Sequence, residues 1–251
     1  MKLKSSFLVL AAVLAAAMFP PLSLGQSSLP RFGAGVKAST LGIGIEGATA
    51  VTGRSNVRFG VNTFGYNKSV RKDGVDYGAK LSLSSLQLNY DQYVVGGFHV
   101  SPGLLFHNRN RINATASVPA GGAFSLGGTQ YYSNQSIPVR GTANVKLGKT
   151  APMVLLGFGN LLPRNGRHFG VNFETGVVFQ GSPDATLNLT GTACVISPTA
   201  GCANASTDPM VQANVRSEQN KLNNDLRPLR YYPVVSLGFS WQFLRPAQGR
   251  R

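Results

Sequence analysis

Charge is scarce in this chain. Only 13% of its 251 residues are Asp, Glu, Lys or Arg, against about 25% in an ordinary soluble domain. Acidic residues are scarcer still: 9 Asp+Glu stand against 24 Lys+Arg, a formal charge of +15. There are 2 cysteines and 3 histidines, and they show no zinc-ligand spacing. After Phe19 no segment approaches the ~20 consecutive apolar residues of a transmembrane helix. These absences exclude a helical membrane bundle and a zinc module. Gly121-Gly122 and Gly127-Gly128 lie in a loop, not between a strand and a helix, so they form no phosphate cradle. The sequence implies neither a metal nor a cofactor.

What is present begins at the first residues. Lys2 and Lys4 precede an unbroken apolar run from Phe7 to Phe19, and Pro20-Pro21 ends it. Ser23 and Gly25 are small residues suited to a cleavage site. The pattern reads as a secretory signal peptide over residues 1–25 with cleavage after Gly25; the alternative is a retained anchor. Residues 26–243 then suit one all-β domain, followed by a basic tail at 244–251. In an oxidising compartment Cys194 and Cys202, close in sequence, suit a local disulfide; the alternative is a pair of free thiols.

The domain reads as strands with one apolar and one wet face. In Tyr231 to Phe243 the odd positions Tyr231, Val235, Leu237, Phe239 and Trp241 alternate with Ser236, Gly238, Ser240 and Gln242, the period of a strand. Phe169, Val171, Phe173, Val177 and Phe179 alternate with Asn172, Glu174, Gly176 and Gln180. Phe98 to Phe106, Val57 to Asn62 and Leu41 to Ala48 repeat the pattern. Tyr77 to Tyr90 and Val139 to Asn160 also read as strands, the first with a phase change at Ser84-Ser85 that suggests a bulge. A soluble sandwich alternates too. Two features favour a barrel: strands of about 9 to 11 residues or more, and aromatics at strand ends, as at Phe169 and Phe179 or Tyr231 and Trp241, which would form two interfacial girdles.

Loop lengths give an orientation. Ala48 to Asn56, Asp91 to Gly97 and Leu161 to Gly166 are short, as periplasmic turns are. Asn67 to Asp76, Arg109 to Pro138 and Gly181 to Arg230 read as longer surface loops. Seven strands are clear, and barrels of this kind have an even number. An eighth belongs between Ser28 and Ala38, or that stretch threads the lumen. Asp208 to Leu229 reads as a short surface helix starting at Asp208-Pro209, or as a disordered loop.

The closing run Tyr231-Tyr232-Pro233-Val234-Val235-Ser236-Leu237-Gly238-Phe239-Ser240-Trp241-Gln242-Phe243 resembles the last strand of Gram-negative outer-membrane β-barrel proteins. Ser39 to Glu46, Asn56 to Gly60, Ala151-Pro152, Gly157 to Asn160 and Phe179 to Pro183 are similar to a poorly characterised group of them. The resemblance implies an antiparallel transmembrane β-barrel of about eight strands with long extracellular loops, located in the outer membrane and handled by the barrel-assembly machinery. The chain departs from that group by continuing past Phe243 with LRPAQGRR.

Export argues against nucleic acid as the counterpart of the basic charge. Outer-membrane lipids, and anionic lipopolysaccharide above all, are the expected partners. Glu46, Arg58, His99, His107, Arg140 and Glu174 fall on the polar phase and are expected inside the lumen. Opposed charges there would pair and plug a narrow barrel. Asn172, on the same phase, is expected to tolerate an Arg better than Phe173. His99-Val100-Ser101 resembles the His-x-Ser pair of lipid A deacylases, but its phase points inward, away from a lipid substrate. The reading is a structural or surface-interaction barrel without catalysis. The alternatives are a narrow channel for small solutes and a lipid-modifying enzyme.

Overall fold

The computed structural model describes residues 31–163 and 167–243. The expected signal peptide (1–25) and basic tail (244–251) lie outside the described residues. In chain order the strands are β1 (Phe32–Ser39), β2 (Gly42–Thr52), β3 (Ser55–Lys72), β4 (Val75–Val95), β5 (Phe98–Phe106), β6 (Arg111–Ser117), β7 (Ala123–Leu126), β8 (Thr129–Ser133), β9 (Arg140–Lys146), β10 (Ala151–Gly159), β11 (Phe169–Phe179), β12 (Asp184–Thr190), β13 (Thr192–Ser197), β14 (Ala200–Asn204) and β15 (Tyr231–Gln242). One helix, α1 (Pro209–Asp225), precedes β15.

Eight of these strands close into an antiparallel ring: β1, β2, β3, β4, β5, β10, β11 and β15, with β15 returning to β1. Alternation decides the faces. Along β15, Val234, Ser236, Gly238, Ser240 and Gln242 are buried while Tyr231, Val235, Leu237, Phe239 and Trp241 are exposed. In β11, Asn172 and Glu174 are buried while Phe169, Val171 and Phe173 are exposed. A wall with a polar inside and an aromatic, aliphatic outside is that of a transmembrane barrel. The eighth strand is β1. It pairs with β2 through Phe32↔Thr49 to Ser39↔Gly42 and with β15 through Gly33↔Gln242 to Ser39↔Ser236. It is weak in sequence because Gly33 and Gly35 take inward positions. A Cβ on Gly33 would lie 3.0 Å from the Trp241 carbonyl oxygen.

Two connections of two residues, Gly53-Arg54 and Gly96-Gly97, lie at one end of the barrel, the end at which β10 leaves and β11 enters. The opposite end carries a folded cap. Asn67 to Asp76, expected as a loop, is strand. β3 and β4 pair without interruption from Ser55↔Gln92 to Lys72↔Val75, leaving only Asp73-Gly74 as the turn. That unbroken register also replaces the expected bulge at Ser84-Ser85. The apolar residues change phase there because β4 leaves the membrane band, not because the backbone slips. Val139 to Asn160, expected as one strand, is two. β9 extends the cap and β10 belongs to the barrel, separated at residues 147–150.

In the cap, the upper part of β4 pairs with β6, β6 with β9, and β9 with β12, continuing the barrel wall as a sheet. A second sheet runs β14-β13-β8-β7. Helix α1 begins at Asp208, whose Oδ1 accepts from Met210 N and Val211 N, both at 3.0 Å, a side-chain N-cap. The helix lies over the free edge of β12. Asn223 Oδ1 accepts from Ala185 N at 2.8 Å and Gln219 Oε1 from Leu187 N at 3.0 Å, which protects that edge from stray strand pairing. Beneath α1 lies an apolar core that includes Val75, Tyr131, Val139, Leu189, Val211 and Val215. Cys194 and Cys202 face each other across the β13–β14 hairpin and form a disulfide.

Candidate functional site

The interior of the barrel is filled in three layers. Near the short-turn end, Asn56, Tyr93 and Asn160 form the floor. Tyr93 Oη donates to Asn160 Oδ1 at 2.8 Å, and Asn56 Nδ2 donates to Tyr93 Oη at 3.3 Å. Leu161 and Leu162 tuck in beside Ala48. Near the cap, Leu41, Leu105, Met153, Leu155, Val178 and Val234 make an apolar lid. Between them sits a cluster of charge.

Arg58 on β3 is the hub, 1% exposed. Its Nη1 donates to Glu174 Oε2 at 2.8 Å and Glu46 Oε2 at 3.2 Å; its Nη2 donates to Asp91 Oδ1 at 3.0 Å and to Glu174 Oε1. Those carboxylates come from β2, β4 and β11, so one guanidinium ties strands around the ring. Planar, five-donor geometry suits Arg to this role where Lys would reach one partner at a time. Lys37 on β1 adds a bond to Glu46 at 3.3 Å. Ser101 Oγ donates to Asp91 Oδ1 at 2.7 Å, and Ser236 Oγ to Glu174 Oε2 at 3.3 Å. His99 Nε2 lies 3.3 Å from Glu174 Oε1 and its Nδ1 lies 3.1 Å from the Gly97 carbonyl oxygen. Both ring nitrogens face acceptors, so the ring satisfies both contacts only as the imidazolium. In that form three cations, Lys37, Arg58 and His99, meet three carboxylates, Glu46, Asp91 and Glu174.

Glycine makes room for this cluster. A Cβ on Gly157 would contact His99 and sit 2.9 Å from Glu174 Cγ; one on Gly60 would sit 3.0 Å from Gln87 Cγ. A ring of eight strands is just wide enough for side chains to fill it, so each large inward group needs a small one opposite.

Of the residues expected inside, Glu46, Arg58, His99 and Glu174 are buried together. His107 and Arg140 are corrections. His107 is exposed just past the end of β5, with φ +48. The turn there breaks the alternation that pointed it inward. Arg140 is exposed on β9, a cap strand with no lumen beside it. Lys37 and Asp91 escaped the sequence reading. The first sits on the weak strand β1. The second was counted in a turn that begins only at Gly96. Their signal was the phase: Lys37 lies two residues from Gly35, and Asp91 two residues from Asn89, both inward.

His99 and Ser101 share the inward face, but they hold different carboxylates, Glu174 and Asp91, and both are buried away from lipid. Asp91, His99 and Glu174 place ligand atoms within 4.8 Å of one another. The Arg58 guanidinium already contacts both acids, so a cation there would have to displace it.

Known proteins supply a fold and no more. No protein-family model matches this chain, and no curated protein sequence matches it at a significant level. Among solved structures, the CarO2 protein of Acinetobacter baumannii is similar at 18% identity and TM-score 0.56, covering 85% of this chain and 98% of its own. CarO of Acinetobacter baumannii is similar at 21% identity and TM-score 0.56, covering 87% of this chain and 100% of its own. An antiparallel eight-stranded barrel is therefore a fold that this chain shares, along most of its length, with CarO.

Proposed function

We propose that this chain is an outer-membrane protein whose barrel is an anchor and whose working surface is the cap. The observation that carries this is Arg58, buried and bonded to carboxylates from three strands, between an apolar lid and a hydrogen-bonded floor. Opening a solute path would strand those carboxylates in the barrel, and breaking a buried pair costs about 3–5 kcal/mol. The cap, in contrast, has its own core, a disulfide and a helix-covered edge. That is more structure than a mere connection between strands requires. Catalysis is not part of this reading, because His99 and Ser101 are each committed to a different acid.

A narrow channel is the competing reading. Polar atoms inside the barrel, among them Asn62 Oδ1, Asn89 Nδ2 and Asn172 Oδ1, have no hydrogen-bond partner among the described residues. A thread of water past Arg58 would satisfy them. Purified full-length protein in planar bilayers distinguishes the two. The anchor reading expects no stable conductance steps above the empty bilayer. Reproducible steps that disappear when Gly157 is replaced by a bulky residue would establish the channel instead.

A further inference from the structure

The outward phase of the barrel wall does not stop at the membrane. Leu86 and Leu88 on β4 face outward in the apolar band. The β3–β4 register runs on unbroken, so Ser82, Lys80 and Gly78 follow on the same outer face. Pairing carries that face sideways. Ser82 is opposite Arg111, and Arg111 opposite Lys146. One step higher, Lys80 is opposite Asn113, and Asn113 opposite Asn144. Above these come Gly78, Thr115 and Thr142, and β12 adds Thr186 and Asn188. Leucine gives way along one continuous face to amides, hydroxyls and cations. The opposite face of the same strands carries Ala116, Leu187 and Leu189, which belong to or pack against the cap core.

Lys80, Arg111 and Lys146 are exposed and stand on three adjacent strands. Strands lie about 4.8 Å apart, so the three charges span roughly 10 Å. Arg111 and Lys146 lie level with Ser82, four residues beyond Leu86. At ~3.3 Å per residue and a tilt of about 40° that is roughly 10 Å above the last lipid-facing leucine, the depth of the headgroup layer. The acids on this face are Asp184, opposite Lys146, and Asp76, whose Oδ1 is 3.7 Å from Arg71 Nε.

We propose that this face docks the phosphorylated sugar headgroup of lipopolysaccharide. Lys80, Arg111 and Lys146 hold its phosphates, and the neighbouring Asn and Thr side chains hold its hydroxyls. The inference rests on the reading that the barrel sits in an outer membrane with the cap outward. It has its own test. Full-length protein in detergent micelles is mixed with purified lipopolysaccharide, with the same material after dephosphorylation, or with phosphatidylglycerol. The readout is the temperature at which the folded band on a gel shifts to the unfolded position. Lipopolysaccharide is expected to raise that temperature, and dephosphorylation to remove most of the rise. The combined variant Lys80→Gln, Arg111→Gln, Lys146→Gln is expected to lose about half of the rise or more, since long-range attraction to these exposed cations is the part that salt screens. Its transition without lipid stays at the wild-type temperature. The combined variant Arg216→Gln, Lys221→Gln on α1 keeps the full rise. An undiminished rise in the triple variant, or an equal rise with dephosphorylated lipopolysaccharide or phosphatidylglycerol, overturns the assignment. The conductance experiment fails or succeeds separately: a conducting barrel that still needs Lys80, Arg111 and Lys146 for its lipid response would overturn the anchor and leave this face standing.

Discussion

Phe173 in the barrel and Val215 in the cap are both apolar side chains of regular elements, yet the first is 47% exposed and the second 3%. Glu174, beside Phe173, is buried, while Arg216, beside Val215, is exposed. The same chain thus sorts its side chains in opposite senses at its two ends. In the barrel lipid surrounds the wall, so apolar groups gain nothing by turning inward and charge must be satisfied internally. In the cap water surrounds the sheet, and burial of Val211, Val215 and Leu189 drives folding as it does in any soluble domain. The join is visible within single strands. On β4 the inward phase is polar at Ser85, Gln87, Asn89 and Asp91, then apolar at Leu83 and Val75.

The sharpest way to break the comparison is at Arg58. Arg58→Met leaves Glu46, Asp91 and Glu174 buried without their hub, and removal of one partner from such a cluster costs about 3–5 kcal/mol. The variant is expected to lose folded-barrel gel mobility, while the combined variant Arg216→Gln, Lys221→Gln in the cap keeps it. If Arg58→Met assembled with wild-type heat resistance, the charge cluster would not be what holds the interior closed.

A second test contrasts two outward positions. Phe173→Arg places a charge in the apolar band and is expected to cost about 2–4 kcal/mol, measured as a lower midpoint in urea unfolding from lipid vesicles. Thr142→Arg lies on the outward face of the cap and is expected to shift that midpoint by no more than about 0.5 kcal/mol. Equal effects at the two sites would mean that lipid does not surround Phe173. Asn172→Arg is no longer the mild control that alternation alone suggests. Asn172 packs against Gly238, and Glu174 already has its partners, so overpacking costs about 1–3 kcal/mol.

The smallest effect should be confined to the cap. Asp208→Ala removes the cap from α1 and is expected to cost about 1 kcal/mol. Hydrogen exchange should quicken over residues 209–225 and stay unchanged in β11 and β15. Faster exchange in the barrel strands would show that the two regions fold as one unit and that the contrast between them is only one of composition.

Alternation, a local property with a period of two residues, determined much of this from the sequence alone. It placed β2, β5, β11 and β15 and told inside from outside along them. The even-number rule called for an eighth strand between Ser28 and Ala38, with a lumen-threading segment as the alternative, and the strand forms as β1 (Phe32–Ser39) despite its glycines. Asp208-Pro209 marked the start of α1, because N-cap chemistry is also local. Tertiary structure decided what local pattern cannot carry. Whether Asn67 to Asp76 is loop or strand depended on β4 and on the sheet that β6, β9 and β12 build beside it. Whether Arg140 faces a lumen depended on which strands β9 pairs with, β6 and β12 beyond the ring rather than ring strands, since its own alternation is the same in either case. The union of Lys37, Glu46, Arg58, Asp91, His99 and Glu174, drawn from six strands, exists only once the ring closes, because closure brings those inward side chains within hydrogen-bond distance of one another.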